Sequence, residues 1–149
     1  MAYIVNTDKM SAEYNGALIE GTLKAKVAMD NGMLVERDGV TGDFKFATDK
    51  SVEDLYLVTT PEKLYEGSTL GGFTNAAGKV IRAFKLVDGD EFSTNANADV
   101  AALSVGDKLM AGAANGMFIA SDASEAVSFT VIEKKNIGAT PVVTLRVSK

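Results

Sequence analysis

Hydrophobic residues along this chain fall into short runs of two textures. In the first they alternate with polar ones: Val127, Phe129 and Val131 are separated by Ser128 and Thr130, and Val143, Leu145 and Val147 by Thr144 and Arg146. Side chains on a pleated strand alternate between its faces, so residues 127–134 and 142–147 predict two half-buried strands, antiparallel across a hairpin loop at 135–141. In the second texture the run is unbroken. Leu55, Tyr56, Leu57 and Val58 are consecutive and rich in strand-favouring types, which predicts a buried strand. Pro61 has no N–H to give a ladder, so that strand ends at Thr59 or Thr60, and residues 80–86 read as the next one.

Turn chemistry divides the remainder. Leu23, Ala25 and Val27 alternate with Lys24 and Lys26, then Asp30, Asn31 and Gly32 offer a turn, and 33–37 reads as the returning strand of a hairpin. Asp38-Gly39 and Thr41-Gly42 mark further turns, and Phe44 and Phe46 flank Lys45 as core-filling aromatics. Residues 95–103 are the best helical candidate, at most two turns long, with Asn95 or Asn97 as the cap. Residues 104–107 form a tight entry to a strand at 108–111, and 112–116 is a small-residue turn before 117–120. Tyr3, Ile4 and Val5 open a stretch without sustained period, read as an extended N-terminal arm over 1–20.

These elements predict a mainly β fold: a single compact antiparallel β-barrel or β-sandwich domain over 21–149, with the arm and at most one or two short helices. One connection is out of proportion. Residues 62–79 are polar and contain Gly67, Gly71, Gly72 and Gly78, and connections of that length are usually functional or flexible.

Composition narrows the chemistry. A chain of 149 residues suits one domain that buries roughly 70% of its unfolded surface. No stretch approaches a membrane span, and the first fifteen residues lack the order of a signal peptide, so synthesis in a cytosol is expected. A net charge of -5 and a pI near 4.7 argue against nucleic acid as a partner. The absence of Cys and His removes thiolate nucleophiles, disulfides, zinc-thiolate sites and the commonest general base. Carboxylates, Lys, Tyr, Ser and Thr remain, without acidic residues at matched strand ends, so the chain is expected not to be an enzyme and to need no cofactor. Asp88, Asp90 and Glu91 around Gly89 were weighed as a cation site against a solvated Asp-Gly turn, and the turn is preferred. No phosphate-binding glycine motif occurs. Among Tyr56, Tyr65, Phe73 and Phe84, only Tyr65 and Phe73 lie in a loop and read as exposed contacts.

The order of segments NGMLVERDG, LYLVTTPEKLYEG, GKVIRAFKLVDGDEFS and SVGDKLM, over roughly residues 31–110, resembles the capsid decoration (cement) proteins of tailed bacteriophages. The resemblance implies a head-stabilising structural protein on the exterior of the virion. It would bind the major capsid protein of an assembled shell, often as a trimer, gripping neighbouring subunits with an arm or loop and performing no catalysis. Apolar residues of the arm and loop are then the expected anchors: Tyr3, Ile4, Val5, Leu64, Tyr65, Leu70 and Phe73. A tail or neck component is one alternative. A carbohydrate-binding surface module is another, weakened by the lack of tryptophan.

Overall fold

The computed structural model describes residues 5–61, 74–97, 99–112 and 114–149. Among these residues eleven strands run in chain order: β1 (Val5–Lys9), β2 (Ile19–Glu20), β3 (Leu34–Arg37), β4 (Phe44–Phe46), β5 (Tyr56–Val58), β6 (Ala83–Lys85), β7 (Glu91–Thr94), β8 (Lys108–Met110), β9 (Ile119–Ala120), β10 (Ser128–Ile137) and β11 (Thr140–Ser148). They form two antiparallel sheets, one ordered β1-β7-β11-β10-β8-β9 and the other β2-β6-β5-β3-β4. The fold is therefore mainly β, and of the two architectures expected from the sequence it is the sandwich.

The two hydrophobic textures correspond to two kinds of strand. In β10, Phe129 and Val131 are buried while their neighbours are half-buried, as expected of a strand with one face on the core. β5 is buried throughout because its sheet has a core on each face. Leu34, Leu57 and Phe84 point between the sheets and join Phe92, Leu109, Phe118, Phe129, Val143 and Leu145 in the main core. Val35, Tyr56, Val58 and Ala83, the alternate positions of the same strands, face a second cluster closed by Ala25, Met29, Met33 and Ile81. The main core is centred on three phenylalanines: the Phe118 and Phe129 rings meet edge to face at 4.9 Å, and Phe92 lies 5.8 and 6.0 Å from them.

Several expectations change. Residues 23–27 do not form a hairpin with β3, whose partners are β4 and β5. They cross the second core as a cover instead, touching Val80 and Phe44 through isolated bridges, with Ala25 buried and Val27 exposed. The reason is that β3 needs hydrogen-bonded strands on both sides, and β4 and β5 supply them. The helix expected over 95–103 is reduced to one 3₁₀ turn, Val100–Ala102, capped by Asp99 rather than by Asn95 or Asn97. Asn97 instead donates to the Phe118 carbonyl at 2.7 Å, which ties the chain to the core before a helix can start. The loop expected at 135–141 shrinks to Gly138 and Ala139, with Gly138 at φ 62° in a two-residue hairpin, so Ile137 pairs with Thr140.

The stretch read as an arm is extended at its start, but its described part belongs to both sheets. β1 pairs with β7, β2 pairs with β6, and Met10 and Ala12 between them are fully buried in the main core. Asp90 fixes the crossing: its carboxylate accepts the Ser11 N–H at 2.8 Å, the Ser11 hydroxyl at 2.7 Å and the Val87 N–H at 2.9 Å.

Two charged locks hold surface turns. The Lys26 ammonium donates to Asp38 at 2.7 Å, and the Val40 and Thr41 N–H groups reach the other oxygen, joining the cover to the β3–β4 hairpin. Lys50 similarly donates to Asp122, whose second oxygen takes the Ser124 hydroxyl and N–H.

The phenylalanine cluster and the locks yield separate predictions. Phe129→Ala should lower the unfolding free energy by about 3–5 kcal/mol in urea titration, whereas Val40→Ala, at a 94% exposed position, should leave it within about 0.5 kcal/mol. The ammonium of Lys26, aided by the two N–H groups, holds Asp38 far below the usual carboxylate range, and Lys50 with Ser124 lowers Asp122 to about 2. A depressed folded-state pKa stabilises the fold above the unfolded value and is lost as pH falls through the folded one. Both contributions should therefore begin to fall near pH 4; that of Asp122 is gone by about pH 2, and that of Asp38 goes on falling below it. Melting curves should show Asp122→Asn losing less Tm than wild type between pH 5 and pH 2.

Candidate contact site

The most organised polar cluster joins the two described ends of the connection from β5 to β6. It begins with the turn after the cover segment. Gly32 at φ 88° lets the chain reverse, and its N–H donates to the Val58 carbonyl at 2.9 Å. This places Asp30 and Asn31 inside the protein, at 5% and 3% exposure. Buried polar groups need partners, and these two find them at both ends of the long connection. Asn31 accepts the Thr60 N–H at 3.1 Å and donates to the Thr60 carbonyl at 2.7 Å, fixing the chain just before Pro61. Asp30 accepts the Thr74 hydroxyl at 2.6 Å, where the chain returns. Asn75 exchanges backbone hydrogen bonds with Met29 at 2.9 and 3.0 Å, and its side-chain amide donates to Met29 O at 3.0 Å and to Asn31 Oδ1 at 3.3 Å.

Arg82 closes the cluster from β6's side. Its backbone N–H donates to the Thr60 hydroxyl at 3.1 Å and its Nε to the Thr59 carbonyl at 2.8 Å, while the guanidinium lies 4.8 Å from the centre of the Phe84 ring. Burial pulls the Arg82 pKa below its ordinary value and Glu13 opposes that, yet arginine stays cationic at neutral pH. The arrangement is one of paired donors and acceptors, the Thr74 hydroxyl on the Asp30 carboxylate among them. Its chemistry is that of a clamp: one turn holds the departing and the returning chain at the same place.

The expected loop 62–79 is accordingly shorter than the sequence suggests. Residues 74–79 are docked, with Gly78 N–H on the Ala25 carbonyl at 2.8 Å and Ala25 N–H on the Lys79 carbonyl at 2.9 Å. Of the anchors expected from sequence, Tyr3, Ile4, Leu64, Tyr65, Leu70 and Phe73 lie outside the described residues. Val5 is half-buried, pairs with Thr94 and packs on the main core, so it is a strand residue rather than a free anchor. Tyr56 and Phe84 are core residues, Tyr56 edge-on to Phe44 at 5.2 Å. The carboxylates around Gly89 diverge: Asp88 accepts the Lys149 N–H, Asp90 is buried on Ser11 and Glu91 pairs with Arg146 at 2.7 Å. Among the described residues no group of three or more Asp or Glu side chains is placed to hold a metal ion, and no helix is long and apolar enough to cross a membrane.

The clamp was missed in the sequence because Asp30-Asn31-Gly32 has the composition of a solvated hairpin turn. The one signal was its setting, polar residues between Met29 and Met33. No protein-family model matches the chain, and no curated protein or solved structure does so either.

Asn31→Ala deletes both bonds to Thr60 and leaves buried backbone groups unpaired, which should cost about 1–3 kcal/mol. Amide hydrogen exchange should show the Thr60 N–H losing protection while Phe129 in β10 exchanges only through global unfolding. An unchanged Thr60 rate would dismiss the clamp.

Proposed function

We propose that the chain is a structural protein of a phage virion that binds the outer surface of an assembled head and stabilises it, with the major capsid protein as its partner and no catalytic step. The observation that carries this reading is the double attachment of Thr60 and of Thr74–Asn75 to one buried turn. The chain on either side of residues 62–73 is thereby fixed, so a partner that engages this stretch need not order its two ends, which lowers the entropic cost of binding. The motif order that resembles decoration proteins supports the same reading, as does the expected apolar content of that stretch, Leu64, Tyr65, Leu70 and Phe73. A trimer on the shell is the assembly this reading favours. Binding to many fixed sites stabilises a folded protein by mass action, which suits a chain without disulfides.

Removing the whole N-terminal segment is no clean test, because residues 5–15 carry β1, buried Met10 and the Ser11 contact to Asp90. Replacing residues 62–73 by a Gly/Ser linker of equal length leaves the clamp intact. The variant should keep the wild-type melting temperature within a few degrees and lose co-sedimentation with preformed phage heads. Heads decorated equally by wild type and variant would remove this stretch as the contact, and heads that bind neither would remove the proposed function.

A further inference from the structure

β3 outruns its ladder with β5. The two pair only at Leu34 with Leu57 and Val35 with Tyr56, while β3 continues through Glu36 and Arg37, paired on the other side with Lys45 and Phe44 of β4. Beyond the last pair lies a cleft of ≈ 360 Å³ lined by Glu36, Arg37, Val52, Asp54, Tyr56 and Lys85. That volume lies within the range of small-ligand clefts.

Its charges are unevenly satisfied. Arg37 faces Glu20 at 3.6 Å and Lys85 faces Asp54 at 3.4 Å, so each cation of the cleft already has a carboxylate. Glu36 is different. Its side chain is only 8% exposed, one oxygen meets the Lys45 ammonium at 3.2 Å, and the other, Oε2, is buried without a hydrogen-bond partner among the described residues. A buried acceptor of this kind is costly to leave unpaired. Asp54, 72% exposed and paired with Lys85, is a second carboxylate at the rim, and Val52 and Tyr56 supply apolar wall. The lining carries two cations and two carboxylates, but both cations are engaged and the unmet group is an acceptor, Glu36 Oε2; an ammonium or guanidinium therefore suits the cleft, with wall for the methylenes that carry it.

We infer that this cleft receives a basic side chain, Lys or Arg, of a protein partner, with the Glu36 carboxylate as its buried acceptor and Asp54 at the mouth. That the partner is a capsid subunit rests on the proposed function; the chemistry of the cleft does not.

Titration of ¹⁵N-labelled protein with N-acetyl-lysine methylamide and N-acetyl-arginine methylamide, against the uncharged norleucine analogue, tests the chemistry at low salt. At least one basic ligand should give saturable amide shifts confined to the neighbourhood of Glu36, Arg37, Asp54 and Tyr56. Loss of the charged acceptor in Glu36→Gln should weaken that binding about tenfold. Asp54→Asn, at an exposed position, should weaken it by a smaller factor and serves if Glu36→Gln fails to fold. Shifts that do not saturate, that the norleucine analogue reproduces, or that survive both substitutions would overturn the inference. Co-sedimentation with heads adds the second arm: Glu36→Gln should bind more weakly than wild type. Equal binding of the two would overturn the role of the cleft in docking while sparing the proposed function, and failure of wild type to bind overturns that function alone, since the titration is read without heads.

Discussion

The constraint on which the rest of this molecule depends is that β3, β5 and β6 are apolar on both faces. One face is met by the six-stranded sheet, but the other needs a cover, and the chain has no helix to lay over it among the described residues. Residues 23–33 and 75–81 do the covering as irregular chain, which brings backbone polar groups into an apolar setting. Each must then find a partner, and the bonds between Ala25, Lys79, Met29 and Asn75 satisfy them. The buried Asp30-Asn31 turn is a product of this arrangement. It lies inside because the cover lies inside.

A turn buried for reasons of packing then becomes useful. Its side chains cannot be solvated, so they bind the nearest backbone, and the nearest backbone is the start and finish of the β5–β6 connection. Fold and presentation are thus one problem. The Glu36 cleft arises similarly from the mismatch between a four-residue β3 and a three-residue β5. Where the ladder with β5 stops, Glu36 and Arg37 line a cleft instead of facing a paired strand.

Much of the fold was legible in the chain. Alternation at 127–134 and 142–147 located β10 and β11, and the LYLV run located a buried strand. What alternation could not convey was partnership: Leu23, Ala25 and Val27 have strand periodicity, yet they bridge to Val80 and Phe44 instead of pairing with β3. Hydrogen-bond partners in a sheet are decided by which strands compete for an edge, and that is a long-range property. Asn95 and Asn97 misled for a related reason, since a side chain suited to capping also suits a bridge to Phe118. The candidate site was legible only as an overlong glycine-containing connection. Its roots were hidden because an Asp-Asn-Gly turn has the same letters whether it faces water or core.

The position of β11 carries a consequence for how the molecule comes into being. It lies between β7 and β10, and the six-stranded sheet has no other link between its two halves. A ribosome releases residues in order, so β1 and β7 can form no more than a two-stranded ribbon, and β8, β9 and β10 no more than a separate three-stranded piece, until 140–148 emerge. A two-stranded ribbon is marginal in water. The nascent chain therefore carries unpaired edges until β11 is made, and the six-stranded sheet closes only when that strand inserts between β7 and β10.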